Sequence, residues 1–164
     1  MIESDFIFNS PIETGLRSLC ILTSAPDVEF DLQMLVAFDY LVVHAGDFDE
    51  EQRSMHPSVM AKTGELLVRR KLIEQGLLLL EDKDLVKKLA LDKGFFFKAT
   101  EFSQIFMDSL TNSYIKHQLT NARWAVKQFS GEGIFREVFG DSYAIWNAEF
   151  QALEKRRYNK MMEF

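Results

Sequence analysis

Apolar positions recur at helical spacing over most of the chain and alternate over one short stretch, so the pattern predicts a mainly helical protein with a small β element. Leu16, Leu19, Cys20 and Thr23 share one side of a helix over about residues 11–25. It opens at Ser10-Pro11-Ile12-Glu13, a capping box with proline at the first helical position. Pro26 stops this helix, Asp31 caps a second over about residues 32–45, and Gly46 is placed as the left-handed residue that closes it. The polar stretch from Asp47 to Ser58 reads as a loop, and a third helix spans about residues 63–81.

Leu85 to Leu91, the turn Asp92-Lys93-Gly94, and Phe95 to Ala99 then read as two short strands of a hairpin. Thr100 caps a fourth helix to about Leu110, and a fifth starts at Thr111 or Ser113 and runs to Phe129. After the break Ser130-Gly-Glu-Gly133 come a short helix, Gly140-Asp141-Ser142, and a last helix to about Arg157 or beyond. Three helices followed by a hairpin is the winged-helix order. The expected class is therefore mainly α with a small β-hairpin, a winged-helix-like core over residues 10–99 and a helical extension over 100–164. No repeat or linker divides residues 1–164, a length suited to one domain.

Within these elements a few residues need an explanation. Helix two aligns Leu32, Leu35, Val36, Asp39, Val42 and Val43, so Asp39 lies amid an apolar stripe and must be paired or solvated. Helix three is apolar nearly all round, which predicts burial between other elements and is unlike a major-groove reader. Its Glu65 and Arg69 stand four apart among apolar neighbours, and Arg69 needs an acidic partner. The expectation is an ion pair between Asp39 and Arg69 or Arg70, read either as a structural link or as a ligand site.

On the fifth helix Tyr114, Ile115, Leu119, Ala122, Ala125, Val126 and Phe129 form the predicted buried face. That leaves Trp124 with His117 on the other side, beside Lys116, Arg123 and Lys127, as an outward hot spot for a partner or as a surface covered by the last helix. The last helix repeats the ambiguity: Tyr143, Trp146, Phe150, Leu153 and Met161 form a stripe that packs on its own domain or lies in a partner groove.

Charge adds an asymmetry. Residues 1–60 hold 11 acids and 2 bases, a charge of −9, whereas residues 61–164 carry +3, for a total of −6. This counts against simple phosphate-driven DNA binding and suits protein contacts. Lys87, Lys88, Lys93 and Lys98 on the hairpin remain the best candidates for DNA contact. His44, His56 and His117 have no zinc-ligand spacing, and Asp47, Asp49 and Glu51 lack the glycine and terminal glutamate of a calcium loop. Neither a metal nor a cofactor is expected. Cys20 lies on an apolar stripe, an inert core thiol by its setting, and no nucleophile–base pair or nucleotide loop stands out. A non-enzyme is expected. The acidic start lacks the features of a secretory signal, and no apolar run approaches the roughly 18 to 20 residues of a membrane span, which predicts a cytoplasmic protein.

Four segments together resemble a known family. They are Asn9-Ser-Pro-Ile-Glu-Thr-Gly-Leu-Arg17, Phe38-Asp-Tyr-Leu-Val-Val-His-Ala-Gly46, His56-Pro57 and, above all, Gly64-Glu-Leu-Leu-Val-Arg-Arg-Lys-Leu-Ile-Glu-Gln-Gly76. The pattern is similar to that of the small middle components of bacterial ABC-three-component systems over most of residues 8–150, with Phe95 to Thr100 and Arg123-Trp124 adding to it. Such systems join an ABC ATPase of the SMC and Rad50 group, a variable effector that is often a nuclease, and a middle component; Lamassu-type defence against phages and plasmids is one of them. The resemblance implies an accessory subunit that links ATPase to effector, holds the effector inactive until the ATPase responds to foreign or broken DNA, and meets DNA only through the complex. The winged-helix order is compatible by analogy with the tandem winged-helix accessory subunits of SMC complexes. The rival expectation is a free-standing winged-helix DNA-binding regulator.

Overall fold

Ser10 opens the first helix, α1 (Pro11–Ser24): its Oγ accepts the Glu13 N–H at 3.2 Å, and Pro11 sits where no backbone donor is needed. The computed structural model describes residues 10–56 and 63–129 with positions 134, 138, 140, 152, 155, 156 and 158–163; of residues 63–65 it describes the backbone. A two-residue strand, β1 (Phe30–Asp31), leads into α2 (Leu32–Val43), where Asp31 accepts the Met34 N–H at 2.7 Å as the N-cap. A single turn, α3 (Ala45–Phe48), follows, then the long α4 (Thr63–Asp82). The strands β2 (Val86–Leu91) and β3 (Gly94–Ala99) form the hairpin, and α5 (Ser103–Ser109) and α6 (Ser113–Gln128) complete the described elements.

The protein is mainly helical with one small antiparallel sheet of order β1-β3-β2. In the hairpin Val86 stands opposite Ala99 and Leu91 opposite Gly94, whose φ of 125° suits a residue without a side chain at the turn. Phe30 pairs with Phe97 across β1 and β3. This third strand is absent from the sequence reading because two residues are too few to show an alternation.

The core forms around α2, which is buried on every side from Leu35 to Val43, with α1, α4 and α6 packed about it. Helices α1 and α4 cross at Gly15 and Gly76 so closely that a Cβ on Gly76 would stand 2.6 Å from the Pro11 carbonyl oxygen and 2.7 Å from the Gly15 Cα. No helix among the described residues is long and apolar enough to cross a membrane.

Two local expectations are corrected, and one open choice is settled. Gly46 does not end α2 in a left-handed conformation; it lies inside α3, donates its N–H to Ser54 Oγ at 2.9 Å, and a Cβ there would approach that oxygen to 2.8 Å. The fifth helix starts at Ser113, the second of its two expected starts, with Asn112 capping it by accepting the Ile115 N–H at 2.8 Å. The predicted all-round burial of α4 fails on one side, where Val68, Leu78 and Leu79 are 61%, 58% and 46% exposed.

Candidate functional site

The apolar stripe of α2 brings Asp39 to the centre of the molecule, where it is fully buried. Its two carboxylate oxygens are taken by arginines from two other helices: Arg17 Nε of α1 donates at 2.8 Å, and Arg69 of α4 donates to the second oxygen. Burial by itself would raise the Asp39 carboxyl, but the two guanidiniums more than offset it and hold the group below the usual carboxylate range. Arg17 is itself 1% exposed, and its opposing pulls are burial and the Asp39 charge. The network extends outward. Arg17 lies 3.7 Å from the Glu13 carboxylate, and Glu13 accepts a hydrogen bond from the Tyr114 hydroxyl on α6. Asp39 therefore ties α1, α2 and α4 together, with α6 joined through Glu13.

Arg70 is not part of that link. It lies about 100° further round α4 and meets Glu74 one turn on, at 3.1 Å. The Glu65 side chain lies outside the described residues. Beside the cluster, His44 and His56 stand with ring centroids 6.4 Å apart. Burial first, then the nearby Arg17 and Arg69 charges, pushes His56 down to about 4.

Helix α6 is turned differently from its apolar pattern. Its buried residues are Ile115, Gln118, Asn121, Ala122 and Ala125, two of them amides, while Leu119 and Val126 are part-buried. Asn121 Nδ2 donates to the carbonyl oxygens of Val42 and Arg53, each at 2.9 Å, which fastens the segment after α3 onto the helix. That segment also covers the expected outward face. Trp124 is part-buried, its indole N–H donating to Asp49 Oδ2 at 3.0 Å and its ring edge-on to Phe129 at 5.8 Å. His117 Nε2 lies 2.8 Å from the Arg53 carbonyl oxygen. Arg123 and Lys127 stay exposed beside them. Trp146 and Phe150 lie outside the described residues.

On the hairpin Lys87, Lys88 and Lys93 are exposed and Lys98 is half-buried. Lys87 stands directly opposite Lys98, and the Lys88 ammonium sits 4.3 Å from the centre of the Phe95 ring. The Cys20 thiol is buried and pushed up to about 12, chiefly by that burial, so it is held in the unreactive form. Among the described residues no group of histidines, cysteines and carboxylates is placed to hold a metal ion.

Residues 7–147 match the family described as ABC-three component (ABC-3C) system Middle Component 2. The chain belongs to that family. No curated protein and no solved structure matched. The matched span takes in all the helices and strands named above, so the Asp39 cluster, the α6 face and the hairpin all belong to the middle component proper. The residues that sequence reasoning passed over are Arg17, Gln118 and Asn121. Each is polar on a helix whose apolar stripe looks sufficient without it, and only the enclosure of α1 and α6 on more than one side makes the polar positions internal.

Proposed function

We propose that this middle component is a non-catalytic adaptor that links an SMC/Rad50-like ABC ATPase to a nuclease-like effector in a Lamassu-like defence complex against phage or plasmid DNA. In this reading DNA meets the chain only through the complex. The observation that carries it is the outer side of α4, where Val68, Leu78 and Leu79 are exposed while Arg69 and Arg70 are drawn inward to Asp39 and Glu74. Exposed apolar side chains on a long helix suit a protein partner, and a duplex reader needs bases there instead. The order α1, β1, α2, the single turn α3, α4 and then the hairpin, with β1 beside β3, supports a winged-helix core used for protein contacts. Arg123, Lys127 and the exposed part of His117 and Trp124 make a second contact in the same reading, together with Trp146 and Phe150 of the C-terminal region.

The test is affinity purification of the tagged chain from its native host, followed by mass spectrometry and sizing. Recovery of an ATPase with a long coiled coil and a nuclease-like protein is the expected result. A lone chain or homodimer overturns the adaptor reading.

One observation favours a second reading, a winged-helix DNA-binding regulator. Lys87 and Lys98 face each other across the hairpin, and among the described residues no acid pairs with either, an arrangement that an anion such as phosphate would relieve. Salt-dependent, sequence-specific duplex affinity of the purified chain, lost when Lys87, Lys88, Lys93 and Lys98 are neutralised, would establish it.

A further inference from the structure

A groove of about 770 Å³ opens between α4, the sheet and the C-terminal helical positions. Its apolar lining comes from Leu77 and Leu78 of α4, Phe95 and Phe97 of β3, and Tyr158 and Met161 near the C-terminus. Four of these six are left open to solvent, Leu78 at 58%, Tyr158 at 61%, Met161 at 63% and Phe95 at 37%. Lys71, Lys88, Lys93 and Lys155 share the lining with them.

The acids of the lining do not balance these lysines. The lining acids are Asp31, Glu74 and Glu81, and Arg70 beside Glu74 adds a base to the four lysines, so five cations stand against three carboxylates. The groove is thus locally cationic on a chain whose net charge is −6. One long wall is the helix α4. Its lining positions run from Lys71 to Glu81, about 15 Å at 1.5 Å per residue, and Ala152, Lys155, Tyr158 and Met161 join the lining.

We infer that this groove receives about three turns of an acidic amphipathic helix from a partner subunit. Its apolar stripe would lie on Leu77, Leu78, Phe97 and Met161, and its flanking carboxylates would meet the four lysines. A nucleic acid suits the site less well, because the lysines share the lining with six apolar side chains and three carboxylates. The source of the helix rests on the adaptor reading; the chemistry of the groove does not.

The experiment uses the full chain and three fluorescent probes. One is a synthetic peptide with leucines at helical a/d spacing and glutamates elsewhere, the second replaces glutamate by lysine, and the third is a short DNA duplex. The expected result is binding of the acidic peptide at least about tenfold tighter than the lysine peptide, weakening as salt rises. Leu78→Glu and the double change Lys88→Glu with Lys93→Glu should each weaken it about tenfold. Leu78 is exposed enough for its variant to fold, and the lysine pair tests the groove independently. Failure of the acidic peptide to bind, equal binding of both peptides, indifference to the groove substitutions, or displacement by the duplex overturns the inference. Unchanged recovery of the partner subunits by Leu78→Glu sinks the groove while sparing the adaptor. Recovery of no partner by the wild-type chain sinks the adaptor while leaving the peptide result to decide the groove chemistry.

Discussion

Asp39 holds two arginines in a site without water access, so its removal costs more than one hydrogen bond. Asp39→Asn leaves two buried cations facing a neutral amide and should lower stability by about 3–5 kcal/mol, read as a fall in the denaturant midpoint. Replacing all three charges by apolar residues of similar volume, with Asp39→Leu, Arg17→Met and Arg69→Met, should restore most of that loss, because an apolar core of that shape needs no desolvated ions. If the triple variant is no more stable than Asp39→Asn, the cluster does more than pack. Its acid dependence has a definite sign. The folded Asp39 value is depressed, so its contribution is complete above about pH 4 and is lost as pH falls through the lower folded value. His56 acts in a higher window. Held at about 4 against an unfolded value near 6.5, it adds stability that is complete above about pH 6.5 and fades between there and pH 4. With the ring partly open to solvent the effect should be about 1–2 kcal/mol, and His56→Gln should flatten the stability profile over that window while leaving the steeper fall below pH 4. The need of Asp39 for a cation is legible from its place on an apolar stripe. Arg17 is not legible as a donor, because it stands 22 residues away on the polar side of a helix that the fold encloses.

At the scale of elements, the crossing of α1 and α4 sets how near the Asp39 ligands can come to one another. Gly76→Ala puts a methyl group against backbone atoms of α1 at 2.6–2.7 Å, a clash that no side-chain rotation relieves. The helices must part, at about 3 kcal/mol beyond the small gain in helix propensity. Gly15→Ala meets Gly76 backbone atoms at 3.1–3.3 Å and should cost less, about 1–2 kcal/mol. Thermal unfolding of the two variants checks the order; equal midpoints would mean that the crossing is not tight. The hairpin and the capped starts of α1 and α2 are legible in the sequence because their causes are local: a glycine turn, a serine or aspartate three residues before a free N–H. The facing of α6 is not. Asn121 is drawn inward by carbonyls of Val42 and Arg53, residues 79 and 68 positions away, and a periodicity argument cannot register partners at that distance. Trp124 follows the same turn of the helix, so its indole reaches Asp49 instead of standing clear of the surface.

For the whole molecule, the adaptor reading requires that folding and assembly depend on different residues. On that reading the core residues Asp39, Arg17 and Gly76 would act on stability, and the outer side of α4 would act on association. Val68 and Leu79 are exposed and carry no hydrogen-bonding group, so Val68→Glu or Leu79→Glu should change stability by no more than about 0.5 kcal/mol. If a partner covers that side, a buried unpaired carboxylate costs its binding about 2 kcal/mol or more, roughly a thirtyfold loss of affinity. The expected outcome is thus a chain with a wild-type melting curve that no longer recovers its partners on affinity purification. The apolar Asp39–Arg17–Arg69 replacement should do the reverse, altering stability while keeping the partners. A surface variant that still assembles would move the partner contact away from α4, towards Arg123 and Lys127, and a core variant that folds but loses its partners would mean that the buried cluster sets the arrangement of helices the partner reads.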